Sequence, residues 1–398
     1  MQIEEKYMMR CLELAKSNRS SVMPNPMVGA VIVHKGRIIG EGFHRKYGEA
    51  HAEVNAIQSV RDETLLRDST LYVNLEPCAH AGKTPPCSAF ILQKLIPRVV
   101  IGCLDPFPEV AGKGVALLRD TGVKVVTDVM KKEAMELNRF FMTAQTKQRP
   151  YVILKWAQSR DGYIDRIRRD VSERPVQLST PPIRRHVHKL RTEVSAIMVG
   201  TNTVWLDNPF LTVRHWTGDS PVRVFLDRTL RIPVSYHLLD GSVRTIVFVQ
   251  GSKFNVQSPL LKDAGRCQKS NVPYPKFPFE GGRGMSKFPY PRLKVHKNVE
   301  YIGIDFSQQL LHQVLNALYE RGLYSLLVEG GACLHQSFLD SGLWDELQVE
   351  TVPFNLGYGV QAPIFKLGEI AEFQRNIRFS MENFTEEEQP VISVYYCL

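Results

Sequence analysis

The chain has 398 residues, 43% hydrophobic and 23% charged, enough apolar surface for a folded core and too much for a disordered chain. One hydrophobic core rarely serves more than roughly 250–300 residues, so two domains are expected. The formal charge of +9, spread along the chain, favours an anionic ligand without choosing among nucleic acid, phosphorylated metabolites and phosphorylated cofactors.

In chain order, residues 3–16 read as an amphipathic helix, and GAVIVHKGRIIGEGFH (29–44) as a β-hairpin turning at Lys35-Gly36. HAEVNAIQSV from His51 reads as a helix, TLYVNLEPC (70–78) as a buried strand, PPCSAFILQKL (85–95) as a helix and RVVIGCLDP (98–106) as a strand. VALLRDTG and VKVVTDV continue the alternation, and KEAMELNRFFMTAQ (132–145) closes it as one helix. The polar TKQRP (146–150) reads as a linker, which divides the chain into 1–147 and 148–398. Beyond it, YVILKWAQS, SAIMVG, VRVFLD, TIVFVQ, SLLVEGG and ELQVETVP read as strands, and PPIRRHVHKLRTE and QQLLHQVLNALYERG as helices. Both halves are therefore α/β. A Pro-, Gly- and Lys-rich stretch at about 262–297, where YPKFPF and KFPYP nearly repeat, reads as a surface insertion.

Seven cysteines, an odd number in a long chain, point to a reducing compartment rather than a disulfide framework. The first sixteen residues lack the basic start and apolar block of a secretory signal, and no apolar run is long enough to span a bilayer. A cytoplasmic protein without a membrane partner is expected.

Five cysteines read as small buried or neutral residues, but Cys78 and Cys87 each sit beside a proline next to a predicted element, downstream of His51-Ala52-Glu53. One imidazole and two thiolates leave the fourth position of a tetrahedral Zn²⁺ open for water, the mark of a catalytic rather than a structural site. Glu53, two residues past the histidine, is suited to take a proton from that water and return it to a leaving amine. H-x-E followed by P-C and a second Cys is the signature of zinc-dependent nucleoside and nucleobase deaminases. A nucleic-acid base deaminase needs a groove for flanking nucleotides and a short cysteine spacing; a non-catalytic scaffold would not keep His51, Glu53, Cys78 and Cys87 together.

PNPMVGAVIV (24–33), GEGFHRKYGEAHAEVNAI (40–57), LEPCAHAGKTPPC (75–87) and DPFPEVAGKG (105–114) closely resemble the deaminase domain of the bifunctional riboflavin-biosynthesis deaminase/reductase family. The eight residues between Cys78 and Cys87 match that family, whereas transfer-RNA adenosine deaminases and cytidine deaminases have two. YVILKWAQSRDGYI, HKLRTEVSAIMVGTNTVWLDNPFLTVR and SLLVEGGACLHQSFL resemble its reductase domain, so the resemblance spans almost the whole chain except the insertion. It implies a cytidine-deaminase-like three-layer α/β/α domain followed by a dihydrofolate-reductase-like α/β domain. The implied reactions are hydrolytic deamination of a 2,5-diaminopyrimidinone bearing a phosphoribosylamino group, with one zinc ion per chain, and NADPH-dependent reduction of the ribosyl to a ribityl chain. It further implies that the enzyme is a homo-oligomer acting on a small molecule and not on nucleic acid.

By that resemblance Asn25, His44, His80, Lys83 and Asp105 line the deaminase pocket. Arg191, Leu211, Arg214 and Glu329 face the reductase substrate, the arginines at its phosphate and Glu329 at its ribosyl chain. NADPH contacts Ala157, Ser179, Thr203, Asp207 and the run Gly331, Ala332, Cys333, Leu334, His335, Gln336 and Ser337. Independently, Gly330-Gly331 at the end of a strand lets the backbone approach a phosphate at a helix start. The chain departs from the family at Phe107, where Asn is usual, at Asn208 in Asp-Asn-Pro and at Arg160 in Ser-Arg-Asp-Gly. It departs again in Pro175-Val176-Gln177-Leu178-Ser179, which lacks a tryptophan that helps hold the cofactor.

Overall fold

The computed structural model describes residues 5–17, 22–79, 86–107, 111–251, 255–256, 296–365, 370–378 and 389–397. His80, Lys83 and all of the expected insertion up to residue 295 lie outside the described residues.

The first sheet contains β1 (Gly29–His34), β2 (Arg37–Phe43), β3 (Ser69–Leu75), β4 (Arg98–Cys103) and β5 (Lys124–Val126), in the order β2-β1-β3-β4-β5. The β1–β2 hairpin turns where the sequence places it, with Lys35 and Gly36 both at positive φ, the backbone a tight two-residue turn requires. Strand periodicity assigns the two faces. Ala30, Ile32, Leu71, Val73, Val99 and Ile101 pack under helices Ala52–Gln58, Cys87–Gln93 and Lys113–Asp120, while Val31, Val33, Tyr72 and Val100 pack against helix Glu5–Lys16. The result is the expected α/β/α layering. Because β3 and β4 run parallel, their carboxyl ends, with the loops after Leu75 and Cys103, open on the same edge.

The stretch read as one closing helix is two, Lys131–Leu137 and Arg139–Lys147, parted at Asn138. The side chain of Asn138 explains the break: buried, it accepts from the Met27 N–H at 2.8 Å and donates to the Met27 carbonyl at 2.9 Å. A helical pattern cannot reveal such a tertiary tie.

The second sheet has ten strands. They are β6 (Tyr151–Gln158), β8 (Ala196–Val199), β9 (Val222–Leu226), β10 (Thr245–Gln250), β11 (Asn255–Val256), β12 (Val299–Ile304), β13 (Ser325–Gly330), β14 (Glu346–Thr351), β16 (Ile370–Arg378) and β17 (Val391–Cys397). A short pair, β7 (Tyr163–Asp165) with β15 (Val360–Gln361), stands apart. The order is β11-β12-β10-β9-β8-β13-β6-β14-β17-β16, parallel from β12 to β14 and antiparallel at both edges. The edge strands β11 and β16, and β12 and β17 beside them, escape the sequence reading because their apolar alternation is short or irregular.

Val152, Leu154 and Trp156 point to one face with helices Leu310–Tyr319 and Ala332–Asp340; Tyr151 and Ile153 point to the other, beneath helices Pro181–Glu193 and Thr201–Asp207. The expected linker is tied down at Asp345, whose carboxylate accepts from Lys147 at 3.0 Å, from Arg149 at 2.9 Å and from the Val152 N–H at 2.9 Å.

Candidate functional site

In the first half, His51 is the residue on which helix Ala52–Gln58 begins, Cys78 lies in the loop after β3, and Cys87 opens helix Cys87–Gln93. These elements bring three ligand atoms within 4.8 Å of one another. The His51 Nδ1 is 3.6 Å from the Cys78 Sγ and 3.3 Å from the Cys87 Sγ. Tetrahedral Zn–S and Zn–N bonds put nitrogen and sulfur about 3.6 Å apart, so both the spacing and the donor set fit zinc. Cys78 Sγ also accepts from the Cys87 N–H at 3.3 Å. Its thiol is pushed down, first by the hydrogen bond with Cys87 and then by His51, which in turn is raised to about 9 chiefly by Cys78. The helix start thus serves Cys78, whereas the Cys87 thiol is raised by its hydrogen bond with Cys78 and by burial. Glu53 is 3% exposed beside Cys87, and burial pushes its carboxyl up to about 6.

Asn25 and His44 belong to the same cluster. Asn25 Nδ2 is 3.2 Å from His44 Nε2, the other ring nitrogen of His44 lies 3.1 Å from the Ala50 carbonyl, and the His44 and His51 rings meet edge to face at 5.6 Å. Asp105 stands on the same sheet edge and accepts the Phe107 N–H at 2.8 Å. Its loop is anchored by a residue the sequence reading passed over. Glu76, 4% exposed, accepts the N–H groups of Asp105, Gly112 and Val115 at 3.2, 3.0 and 3.1 Å. An acid immediately before Pro77-Cys78 was the available signal.

In the second half the carboxyl ends of adjacent parallel strands β8 and β13 lie side by side, each running into a helix start, and ligands of such sheets usually bind outside these ends. Gly331 has φ +88 and caps helix Ala332–Asp340; a Cβ on Gly330 would lie 2.9 Å from Thr203, so both glycines are needed for this close approach. The cradle fits a cofactor phosphate at a helix start. Leu334 and His335 are buried and Cys333 is exposed. His335 has its ring nitrogens 3.2 and 3.0 Å from the Gly331 and Val328 carbonyls, and burial pushes it down to about 4. Its side chain is committed to its own strand–helix unit, as is Ser337, bonded to the Cys333 carbonyl, while Gln336 bonds both Asp340 of the same helix and the Ile364 carbonyl outside it. Asp207 pairs with Arg168.

Arg191 grips Glu329 through two bonds of 2.8 and 2.6 Å and donates a third to the Thr212 carbonyl at 2.9 Å. Burial alone would raise the Glu329 carboxyl; Arg191 overrides it and holds the group below its ordinary value. Arg214 makes no ion pair among the described residues and lies over the Phe210 ring at 4.9 Å; burial, and then Arg191, depress it. Leu211 is buried with φ +53, and the next turn is fixed by His188, whose Nδ1 accepts the Arg214 N–H at 2.9 Å. Ser179 Oγ donates at 2.7 Å to Glu350, which also pairs with Lys155 at 3.0 Å, next to Ala157 on β6. Lys155, His188 and Glu350 are further residues that reading along the sequence did not single out. Among the described residues, no helix is long and apolar enough to cross a membrane.

Two family models match: the RibD C-terminal domain over residues 150–387, and the cytidine and deoxycytidylate deaminase zinc-binding region over residues 1–103. Riboflavin biosynthesis protein RibD of Aquifex aeolicus is 35% identical over 388 residues, covering 97% of each chain. That of Bacillus amyloliquefaciens is 36% identical over 370 residues, 92% of this chain and 89% of the relative. Among solved structures, a Thermotoga maritima diaminohydroxyphosphoribosylaminopyrimidine deaminase/5-amino-6-(5-phosphoribosylamino)uracil reductase aligns with TM-score 0.77 at 32% identity, covering 99% of this chain and 98% of that one. Acinetobacter baumannii RibD aligns with TM-score 0.76 at 30% identity, again covering 99% and 98%. With zinc-spaced donors on one sheet edge and a glycine-containing strand-to-helix turn on the other sheet, the chain belongs to the RibD family of bifunctional riboflavin-biosynthesis enzymes, a zinc-dependent deaminase joined to a reductase of the NADPH-dependent type.

Proposed function

We propose that residues 1–147 deaminate 2,5-diamino-6-(5-phosphoribosylamino)pyrimidin-4(3H)-one to 5-amino-6-(5-phosphoribosylamino)uracil, and that residues 148–398 reduce its ribosyl group to a ribityl chain. The observation that carries the first step is the His51, Cys78 and Cys87 triangle with Glu53 buried beside it. Zinc held by these three donors supplies the Lewis acidity that activates water near neutral pH. Glu53 takes the proton of the attacking water and passes it to the departing amine, which leaves as ammonia. Asn25 and His44 hold the substrate over the metal, and His80, Lys83 and Asp105 take its phosphoribosyl part, with Glu76 keeping Asp105 in place.

In the second half Ala157, Ser179, Thr203, Asp207 and the backbone of residues 331–337 hold NADPH, whose nicotinamide supplies the hydride. Arg214, free of any carboxylate among the described residues, meets the substrate phosphate; Arg191 shares that charge while orienting Glu329 toward the ribosyl chain, and Leu211 lines the pocket between them. The enzyme works in the cytoplasm as a homo-oligomer on a small substrate, with no nucleic-acid or membrane partner. Light scattering that returned a monomer would remove the oligomer from this reading.

Removal of the metal tests the division of labour. Chelated protein should lose deamination and keep reduction of the already deaminated substrate, with deamination restored by added zinc; loss of both together would contradict two separate sites.

A further inference from the structure

Glu350 is a charged residue with no exposed surface at all, and only half of its carboxylate is used. Oε2 takes the Lys155 ammonium at 3.0 Å and the Ser179 hydroxyl at 2.7 Å, while Oε1 is buried with no hydrogen-bond partner. A buried acceptor left unpaired costs about 1–3 kcal/mol, more when it is charged. Folds tolerate such an atom where a ligand completes it. The neighbouring Thr180 Oγ1 is likewise buried and unpartnered, on the residue that starts helix Pro181–Glu193.

The position of this half-used carboxylate is informative. Glu350 lies in register with Ala157 across the parallel β14–β6 pair, so it stands beside two expected cofactor contacts, Ala157 and Ser179. Its partner Lys155 is close enough to Glu329, on β13, to contribute to holding that carboxyl ionised. The pair therefore sits between residues expected to contact the cofactor, Ala157 and Ser179, and one expected to contact the substrate, Glu329.

We infer that Glu350 is a ligand-binding residue of the reductase half, its Oε1 accepting a hydrogen bond from a neutral N–H or O–H donor of the molecule bound there. Two groups carry that chemistry, the carboxamide of nicotinamide and a hydroxyl of the ribosyl chain. The inference rests on the reading of residues 148–398 as the reductase. It also bears on the altered stretch 175–179: an acceptor on β14 gives the ligand a contact that does not depend on a tryptophan there.

Equilibrium titration of the full chain separates the cases. NADPH binding is followed by energy transfer from tryptophan, and binding of the deaminated phosphoribosyl substrate by calorimetry, for wild type and Glu350→Gln. Glutamine keeps an oxygen for Lys155 and Ser179 and turns the free position into a donor. The expected result is a ten- to hundredfold weakening of one ligand, the range for a hydrogen bond to a charged acceptor; the ligand affected identifies the donor. Unchanged binding of both overturns the inference and leaves an ordered water as the partner. Wild-type protein that binds neither ligand overturns the reductase reading beneath it. Should Glu350→Gln fail to fold, wild-type protein is titrated with the 3-acetylpyridine analogue of the cofactor and a 2′-deoxyribosyl analogue of the substrate. A tenfold loss for either supports Oε1 as its acceptor, and no loss for both overturns it.

Discussion

Glu53 separates zinc chemistry from zinc binding. Its carboxyl is buried against Cys87 yet is not among the three clustered donors, so a change there should spare the metal. Glu53→Gln is expected to lower the deamination rate by about 10²–10⁴-fold, the usual contribution of a positioned acid–base group. Zinc content and reduction of the deaminated substrate should remain at wild-type levels; a deamination rate within tenfold of wild type would remove Glu53 from the proton path. At this scale the deaminase half was readable because its chemistry is packed into short stretches. His51 and Glu53 share one helix start, and Cys78 and Cys87 flank one loop, so spacing along the chain translates directly into spacing in the fold. Lys155 and Glu350 are 195 positions apart and meet only through the β6–β14 register. In a sequence they are two charges inside apolar strands, and no local pattern announces their contact.

At the scale of elements, turns and caps were legible and tertiary interruptions were not. Lys35-Gly36 declared its hairpin, and Gly330-Gly331 declared a strand-to-helix turn of close approach. Asn138 breaks a helix for the sake of Met27, more than a hundred residues upstream in sequence, and the edge strand β16 pairs with β17, which pairs in turn with β14, without a strong alternation of their own. Gly331 offers the sharpest test at this level. At φ +88 a side chain is strained, at a cost on the order of 1–3 kcal/mol, and the helix start that it shapes is the proposed phosphate cradle. Gly331→Ala should lower the thermal midpoint and weaken NADPH binding at least tenfold while deamination continues. NADPH binding equal to wild type would place the cofactor phosphate elsewhere.

Among the described residues the molecule has two large sheets with separate helical layers, besides the short β7–β15 pair, and the large sheets are joined through the 139–147 helix and the Asp345 anchor. Positive charge, which composition could not assign to any partner, is partly spent in the second half on Arg191 and Arg214, two guanidinium groups close enough for one to depress the other, with Glu329 as the carboxylate paired to Arg191. Such a pair is suited to a phosphorylated small molecule. Because the metal cluster and the Gly331 turn lie on different sheets, deamination is expected to proceed with no cofactor present and reduction with no metal. The most direct test incubates purified, zinc-loaded protein with the diaminopyrimidine phosphoribosyl substrate, with and without NADPH, and reads the products by mass spectrometry. The expected result is deaminated product alone without NADPH and deaminated, ribityl product with it. A substrate left unchanged in both incubations would contradict the account at its centre.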